Sequence, residues 1–176
     1  MTVRLMPRAV HGVKLFICRS PSTLSKPRPV GGVSNGLTIP GGEWLLMVDG
    51  AARGNPGEAG CGAVIFDEGG KLLDELYRYL GHATNNVAEY EGLLMGLERV
   101  IRLGGKRLRV ESDSQLLVRQ INGLYRVKDE KLKRLHYRAS GLLRQLEAYR
   151  IIHVAREYNR LADRLANRAI DSARRS

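Results

Sequence analysis

Four acidic residues stand where an acid needs a physical reason. Asp49 follows the apolar run LLMV in the stretch LLMVDGAARGNPG, residues 45–57. Asp113 closes RVESD, Glu89 lies in TNNVAEYEG, and Asp163 lies in NRLADRLAN. An unpaired carboxylate at the end of a buried segment is costly, so something must face Asp49. Each acid alone has an ordinary explanation: a turn cap, a complement to a helix dipole, or an ion-pair partner for one of many arginines. Together they suggest another. Carboxylates converging on one end of a sheet repel one another unless a cation sits among them. Hard oxygen ligands of this kind suit Mg²⁺ or Mn²⁺ rather than zinc. Nothing competes for that role. His11, His82, His136 and His153 are scattered, no serine or cysteine nucleophile is flanked by a base, and ARGNPG lacks the Gly-Lys-Ser/Thr ending of a phosphate loop.

The elements that must position these acids follow from apolar periodicity. WLLMVD (44–49) reads as a buried strand that ends on Asp49. CGAVIFD (61–67) and KLLDELYRYL (71–80) read as two more, in an antiparallel meander. Val87, Tyr90, Leu94, Leu97 and Ile101 carry helical spacing, and Gly104-Gly105 stops that helix. On it, Glu91, Met95, Glu98 and Arg102 form a largely polar stripe. Glu89 leads a different one, through Gly92, Leu93, Gly96 and Val100. That face is apolar or nearly bare, so it turns Glu89 toward the protein. RLRVESD (107–113) is a strand, SQLLVRQI a short helix, and 130–147 a longer one on Leu132, Leu135, Ala139, Leu142 and Leu146. YRIIHVA (149–155) is the last strand. Residues 160–172 form the last helix, with Asn159 as its N-cap and Asp163 at the end of its first turn. The order predicts an α/β fold with a mixed sheet: three antiparallel strands, then two reached by crossovers. Asp49 and Asp113 then share the carboxyl end of the sheet, where open α/β sheets place their ligands.

Bulk properties narrow the class. The chain has 176 residues, enough for one domain with a real core, and no apolar run long enough to span a bilayer. Cys18 and Cys61 make no disulfide framework, so reduced thiols and a cytoplasmic location are expected. The net charge of +11 suits a polyanionic partner. Its distribution marks a boundary. Residues 1–42 hold six basic residues, no acid and five of the six prolines, and read as a basic, disordered extension. Residues 43–176 form the domain.

Four blocks then carry a resemblance: DGAARGNPGEAGCGAV, TNNVAEYEGLLMGL, ESDSQLLVRQINGLYRVK and REYNRLADRLANRAID. In this order, over residues 44–172, they resemble the type 1 ribonuclease H family. The resemblance implies a five-stranded mixed sheet flanked by helices, and an endonuclease that cuts the RNA strand of an RNA/DNA hybrid with two divalent cations. Carried over by motif, the acids are Asp49, Glu89, Asp113 and Asp163, with Asp49 bridging two ions about 4 Å apart. The expected cofactor is Mg²⁺, two ions per site, with Mn²⁺ as the alternative. Products would carry 5′-phosphate and 3′-hydroxyl ends. Asn55, Asn85, Asn86 and Gln115 fall in positions that line the hybrid's minor groove, where amides can address the 2′-hydroxyl. Thr84 and Asn55 fall where a DNA-strand phosphate is held. The expected assembly is a monomer on nucleic acid, without a membrane.

The sequence also departs from the family. The loop AREYNR has no histidine, where many bacterial members carry one; Arg156 or Glu157 stands in its place, and Arg156 is a candidate phosphate ligand. The tryptophan-rich basic protrusion is missing, leaving YRVKDEKLKR with Lys131, Arg134 and Arg138 on one helix stripe. Two other readings stay open: a catalytically weak nucleic-acid-binding module on the same fold, and a nuclease acting on other duplexes.

Overall fold

The computed structural model of the chain describes residues 42–174. All but the last residue of the expected 1–42 extension, with Cys18 and His11, therefore lies outside the described residues. The elements are β1 (Trp44–Gly54), β2 (Gly57–Phe66), β3 (Leu72–Ala83), α1 (Asn85–Leu103), β4 (Arg107–Ser112), α2 (Gln115–Ile121), α3 (Glu130–Leu143), β5 (Ala148–His153) and α4 (Arg160–Ala173). The strands form one sheet in the order β3-β2-β1-β4-β5, antiparallel across β3-β2-β1 and parallel across β1-β4-β5. This is the predicted architecture.

The first half of central β1, residues 44–48, is unbroken apolar sequence because both of its faces are covered. On one side α1 packs over Leu46 and Val48, and α3 packs on α1; this core includes Tyr90, Leu93, Leu97, Leu108, Val110 and Leu135. On the other side α4 covers Leu45, Met47 and Val64 with Ala162 and Leu165, a much smaller cluster. Each helix approaches through a glycine. A Cβ on Gly50 would lie 2.2 Å from the backbone nitrogen of Glu89, and one on Gly62 would lie 2.5 Å from the carbonyl of Ala162. Any side chain there would lift α1 or α4 away from the sheet.

Local signals set the helix ends. Thr84 Oγ1 accepts from the Val87 amide at the start of α1, and Gly104, at φ 86°, ends it with its N–H on the Ile101 and Val100 carbonyls. Among the described residues, no helix is long and apolar enough to cross a membrane.

Several boundaries differ from the expectation. β1 does not stop at Asp49. It continues to Gly54, because GAARG pairs antiparallel with residues 57–61 in a hairpin. Its parallel partnership with β4 ends at Met47 opposite Glu111. Asp49 thus sits mid-strand, just beyond the point where β1 loses its neighbour on one side. α3 ends at Leu143, not at 147, because the Glu147 and Ala148 amides bond to the Lys106 carbonyl and draw the chain into the β5 ladder. β5 runs 148–153 rather than 149–155, and a 3-10 turn at Arg156–Tyr158 precedes α4.

Candidate active site

The split between β1 and β4 gathers the four acids from four directions. Asp49 comes from β1, Glu89 from the first turns of α1, Asp113 from the residue after β4, and Asp163 from the first turn of α4. Asp49 and Glu89 are each 5% exposed. Burial, followed by the charges of Asp113 and Asp163, pushes the Asp49 carboxyl from its ordinary value up to about 8, and a hydrogen bond shared with the Asp113 carboxyl acts the same way. Glu89 is raised well above the usual carboxylate range by burial first, then by Asp49 and Asp113. The Gly50 N–H hydrogen-bonds to both and offsets part of this. The Asn85 amide donates to Glu89 Oε1 at 3.4 Å. Glu89 Oε2 is buried without a hydrogen-bond partner among the described residues.

The other two acids are tied to protein groups. Asn159 Nδ2 donates to Asp113 Oδ1 at 2.8 Å and to the Val48 carbonyl at 2.9 Å. Asn159 is wholly buried, and its own Oδ1 has no partner among the described residues. Asn159 stands at the N-cap of α4, as expected, but its side chain makes no capping hydrogen bond; its backbone carbonyl accepts from the Asp163 amide. Asn159 is therefore a brace between β1 and Asp113. Sequence reasoning missed that role because an asparagine before a helix already has a sufficient explanation. Asp163 Oδ1 accepts from Arg156 Nη2 at 2.8 Å. Arg156, three-quarters exposed, is held charged first by this hydrogen bond and then by the charge of Asp163, with Asp49 and Asp113 adding. His153, the last residue of β5, is exposed and places Nε2 3.2 Å from the Asp113 carbonyl oxygen.

Among the described residues, no three acidic, histidine or cysteine side chains are drawn tightly enough together to hold a metal ion as they stand. The bonds just given supply a reason: one oxygen of Asp113 faces Asn159, and one oxygen of Asp163 faces Arg156. The donor chemistry nonetheless fits a hard divalent cation. All four groups are carboxylates, one buried oxygen has no partner among the described residues, and two acids are held toward protonation by burial and by the neighbouring carboxylates.

The expected substrate residues divide. Asn55, Thr84 and Asn86 line one cavity of about 350 Å³, together with Lys131 of the basic stripe and with His82 and Asp129, for which the sequence suggested no such place. Asn55 Oδ1 accepts from the Asn85 amide, tying the β1–β2 hairpin to the start of α1. Asp129 caps α3 through the Leu132 amide. Gln115 is exposed at the start of α2 and does not line this cavity. Arg156 lies in a separate open groove of about 710 Å³ with Glu157, Arg160, Asp163 and Arg164.

Comparison with known proteins agrees with this arrangement. The profile of the reverse transcriptase-like family matches residues 47–169. A bifunctional protein of Mycobacterium tuberculosis is 42% identical over 133 residues, 75% of this chain; the chain spans 36% of that protein's length. Ribonuclease HI of Halobacterium salinarum is 40% identical over 133 residues, covering 76% of this chain and 67% of that protein. The structure of LC11-RNase H1 in complex with an RNA/DNA hybrid superposes with a TM-score of 0.71 at 41% identity, over 74% of this chain and 99% of that one. With a matching profile across its domain and a ribonuclease HI among its relatives, the chain belongs to the reverse transcriptase-like, ribonuclease H-like family.

Proposed function

We propose that the chain is an endonuclease that hydrolyses the RNA strand of RNA/DNA hybrids, leaving 5′-phosphate and 3′-hydroxyl ends. The observation that carries this reading is the unmet demand for positive charge at the seam of the sheet: Asp49 held up to about 8 beside Asp113, and a buried Glu89 oxygen with nothing to bind. The LC11-RNase H1 complex, on the same fold at 41% identity, supports a hybrid as substrate.

Asp49, Glu89, Asp113 and Asp163 would hold two Mg²⁺ ions, with Mn²⁺ as an alternative. When bound, the ions supply the charge that activates water and steadies the leaving oxygen. The chain's own groups do the positioning. Burial fixes Asp49 and Glu89 in one orientation. Asn159 fixes Asp113 against β1. Arg156 holds Asp163 and must yield it for metal ligation; released, its guanidinium is free for a phosphate oxygen. The cavity with Thr84, Asn55 and Asn86 accepts a backbone phosphate of the DNA strand, and Asn85 and Gln115 address the minor groove. A binding-only module would not need four intact acids, which places that reading second.

The test is cleavage of an end-labelled RNA/DNA hybrid with and without Mg²⁺ or Mn²⁺, beside single-stranded RNA, duplex RNA and duplex DNA. Metal-dependent cutting of the hybrid's RNA strand, lost in Asp113→Asn, is the expected result. Tight hybrid binding without cutting would leave the binding module; equal cutting of duplex DNA would favour the other nuclease.

A further inference from the structure

α4 carries arginines at three successive turns of one face, Arg160, Arg164 and Arg168. Among the described residues none of the three has an ion-pair partner. Successive members are spaced about 6 Å along the helix axis. Arg160 and Arg164 wall the groove that also holds Asp163, so the row begins at the candidate active site. Its far end meets aromatic surface. Tyr77 and Tyr79 of β3 pair with Gly62 and Gly60, the two glycines under α4, so all four lie on the α4 face of the sheet. Both tyrosines are about 40% exposed. The Arg168 guanidinium lies over the Tyr77 ring, 4.8 Å from its centre, making a flat cationic platform.

The acids on this face are few. Asp171 is neutralised by Arg53, and Glu58 by Arg174. Asp163 is paired with Arg156; Glu157, on the groove wall, and Glu75, opposite Val64, remain. A row of unpaired guanidiniums leading to exposed aromatic rings has the composition of a single-stranded nucleic-acid path: charge for the backbone, flat faces for bases. A duplex offers no free base faces, and an acidic peptide would leave the tyrosines unused.

Building on the hybrid-cleavage reading, we propose that this face of α4 and the adjoining edge of β3 bind a single-stranded extension of the substrate as it leaves the active site. Phosphates rest on Arg160 and Arg164, and bases stack on the Arg168–Tyr77 platform and on Tyr79. The protein then favours hybrids that end in a single-stranded tail over blunt ones.

Fluorescence anisotropy with the full chain in EDTA, where no cutting occurs, tests this. The probes are one blunt hybrid and the same hybrid with a tail of about ten nucleotides, on the RNA or on the DNA strand. For at least one tailed probe, wild type should bind about 5- to 10-fold more tightly than to the blunt one, with a salt slope steeper by about 1.4 for two added phosphate contacts on a single strand. In R164Q/R168Q the tailed-to-blunt ratio should fall to about one, and in Tyr79→Ala it should fall part of the way. A ratio near one in wild type, or an undiminished ratio in R164Q/R168Q, overturns the proposal. Metal-dependent cleavage of the blunt hybrid by wild type reads the parent hypothesis separately. Its failure alongside a tail preference that R164Q/R168Q loses would sink the enzyme and keep the path.

Discussion

The two faces of the sheet are built differently, and the acids sit where they meet. On the α1 face a large apolar core fixes the helix, and its acid, Glu89, is buried beside Asp49 with no freedom to turn away. On the α4 face the core is Leu45, Met47, Val64, Ala162 and Leu165, supplemented by exposed ion pairs such as Arg53–Asp171 and Arg174–Glu58. Its acid, Asp163, is partly exposed and paired with a mobile type of side chain, Arg156. One face supplies carboxylates that are preorganised at an electrostatic cost. The other supplies a carboxylate that can change partners. A metal-dependent site can use both: fixed ligands to define position, and an adjustable one to complete and release it.

The largest expected effect is on the fixed side. Glu89→Gln should lower metal-dependent hybrid cleavage at least 10³-fold, about 4 kcal/mol of transition-state stabilisation. It should also raise the melting temperature of the metal-free protein, because an acid whose ionised form is disfavoured by burial and by Asp49 and Asp113 is replaced by a neutral amide. A variant both inactive and less stable would break the claim that this face stores repulsion for catalysis.

Gly62→Ala acts on the other face. The new Cβ would press on the Ala162 carbonyl and the Ala166 amide and push α4 outward, at a cost of about 1–3 kcal/mol in chemical denaturation. Because Asp163 rides on α4, the half-saturating Mg²⁺ concentration should rise. If stability falls while the metal requirement is unmoved, α4 does not set the position of Asp163.

The pH dependence sharpens the same contrast. Asp49 is raised from 3.8 to about 8, so between these values the folded protein binds more protons than the unfolded chain. Stability of the metal-free protein should therefore be greatest near the acid end of that window and fall as pH rises toward 8. Thermal melts in EDTA across the window check this. Saturating Mg²⁺ should flatten the slope, since the cation replaces the proton.

The smallest effect belongs to the adjustable contact. Arg156→Gln removes the cation that now occupies Asp163. Mn²⁺ affinity, measured by calorimetry, should improve a few-fold, while hybrid affinity weakens through loss of one phosphate ligand. Weakened Mn²⁺ binding would mean that Arg156 supports the metal site rather than competing with it.

Much of this was legible in the sequence because the signals are local. Continuous LLMV before Asp49 means a strand covered on both faces, and the bare Gly92–Gly96 stripe beneath Glu89 means a carboxylate turned inward. The position of Asp49 within its strand was not legible. GAARG looks like a turn by composition, and only pairing with residues 57–61 makes it strand. The brace from Asn159 and the clasp from Arg156 were hidden for a related reason. Each depends on a partner 46 or 7 residues away, and each residue already had an adequate local role. His82 from β3, and Asp129 and Lys131 from the start of α3, join the Thr84 cavity, and no spacing in the chain announces that meeting.

The central claim is that the seam between β1 and β4 demands a divalent cation. Calorimetric titration of Mn²⁺ into the full chain near pH 7, in two buffers of different ionisation enthalpy, measures it directly for wild type and Asp49→Asn. Binding should release protons in wild type, because the Asp49 carboxyl, raised to about 8, and the Glu89 carboxyl, raised above its ordinary range, both give up protons more readily beside a cation, with both binding and release sharply reduced in Asp49→Asn. Binding with no proton release, undiminished in Asp49→Asn, would contradict it.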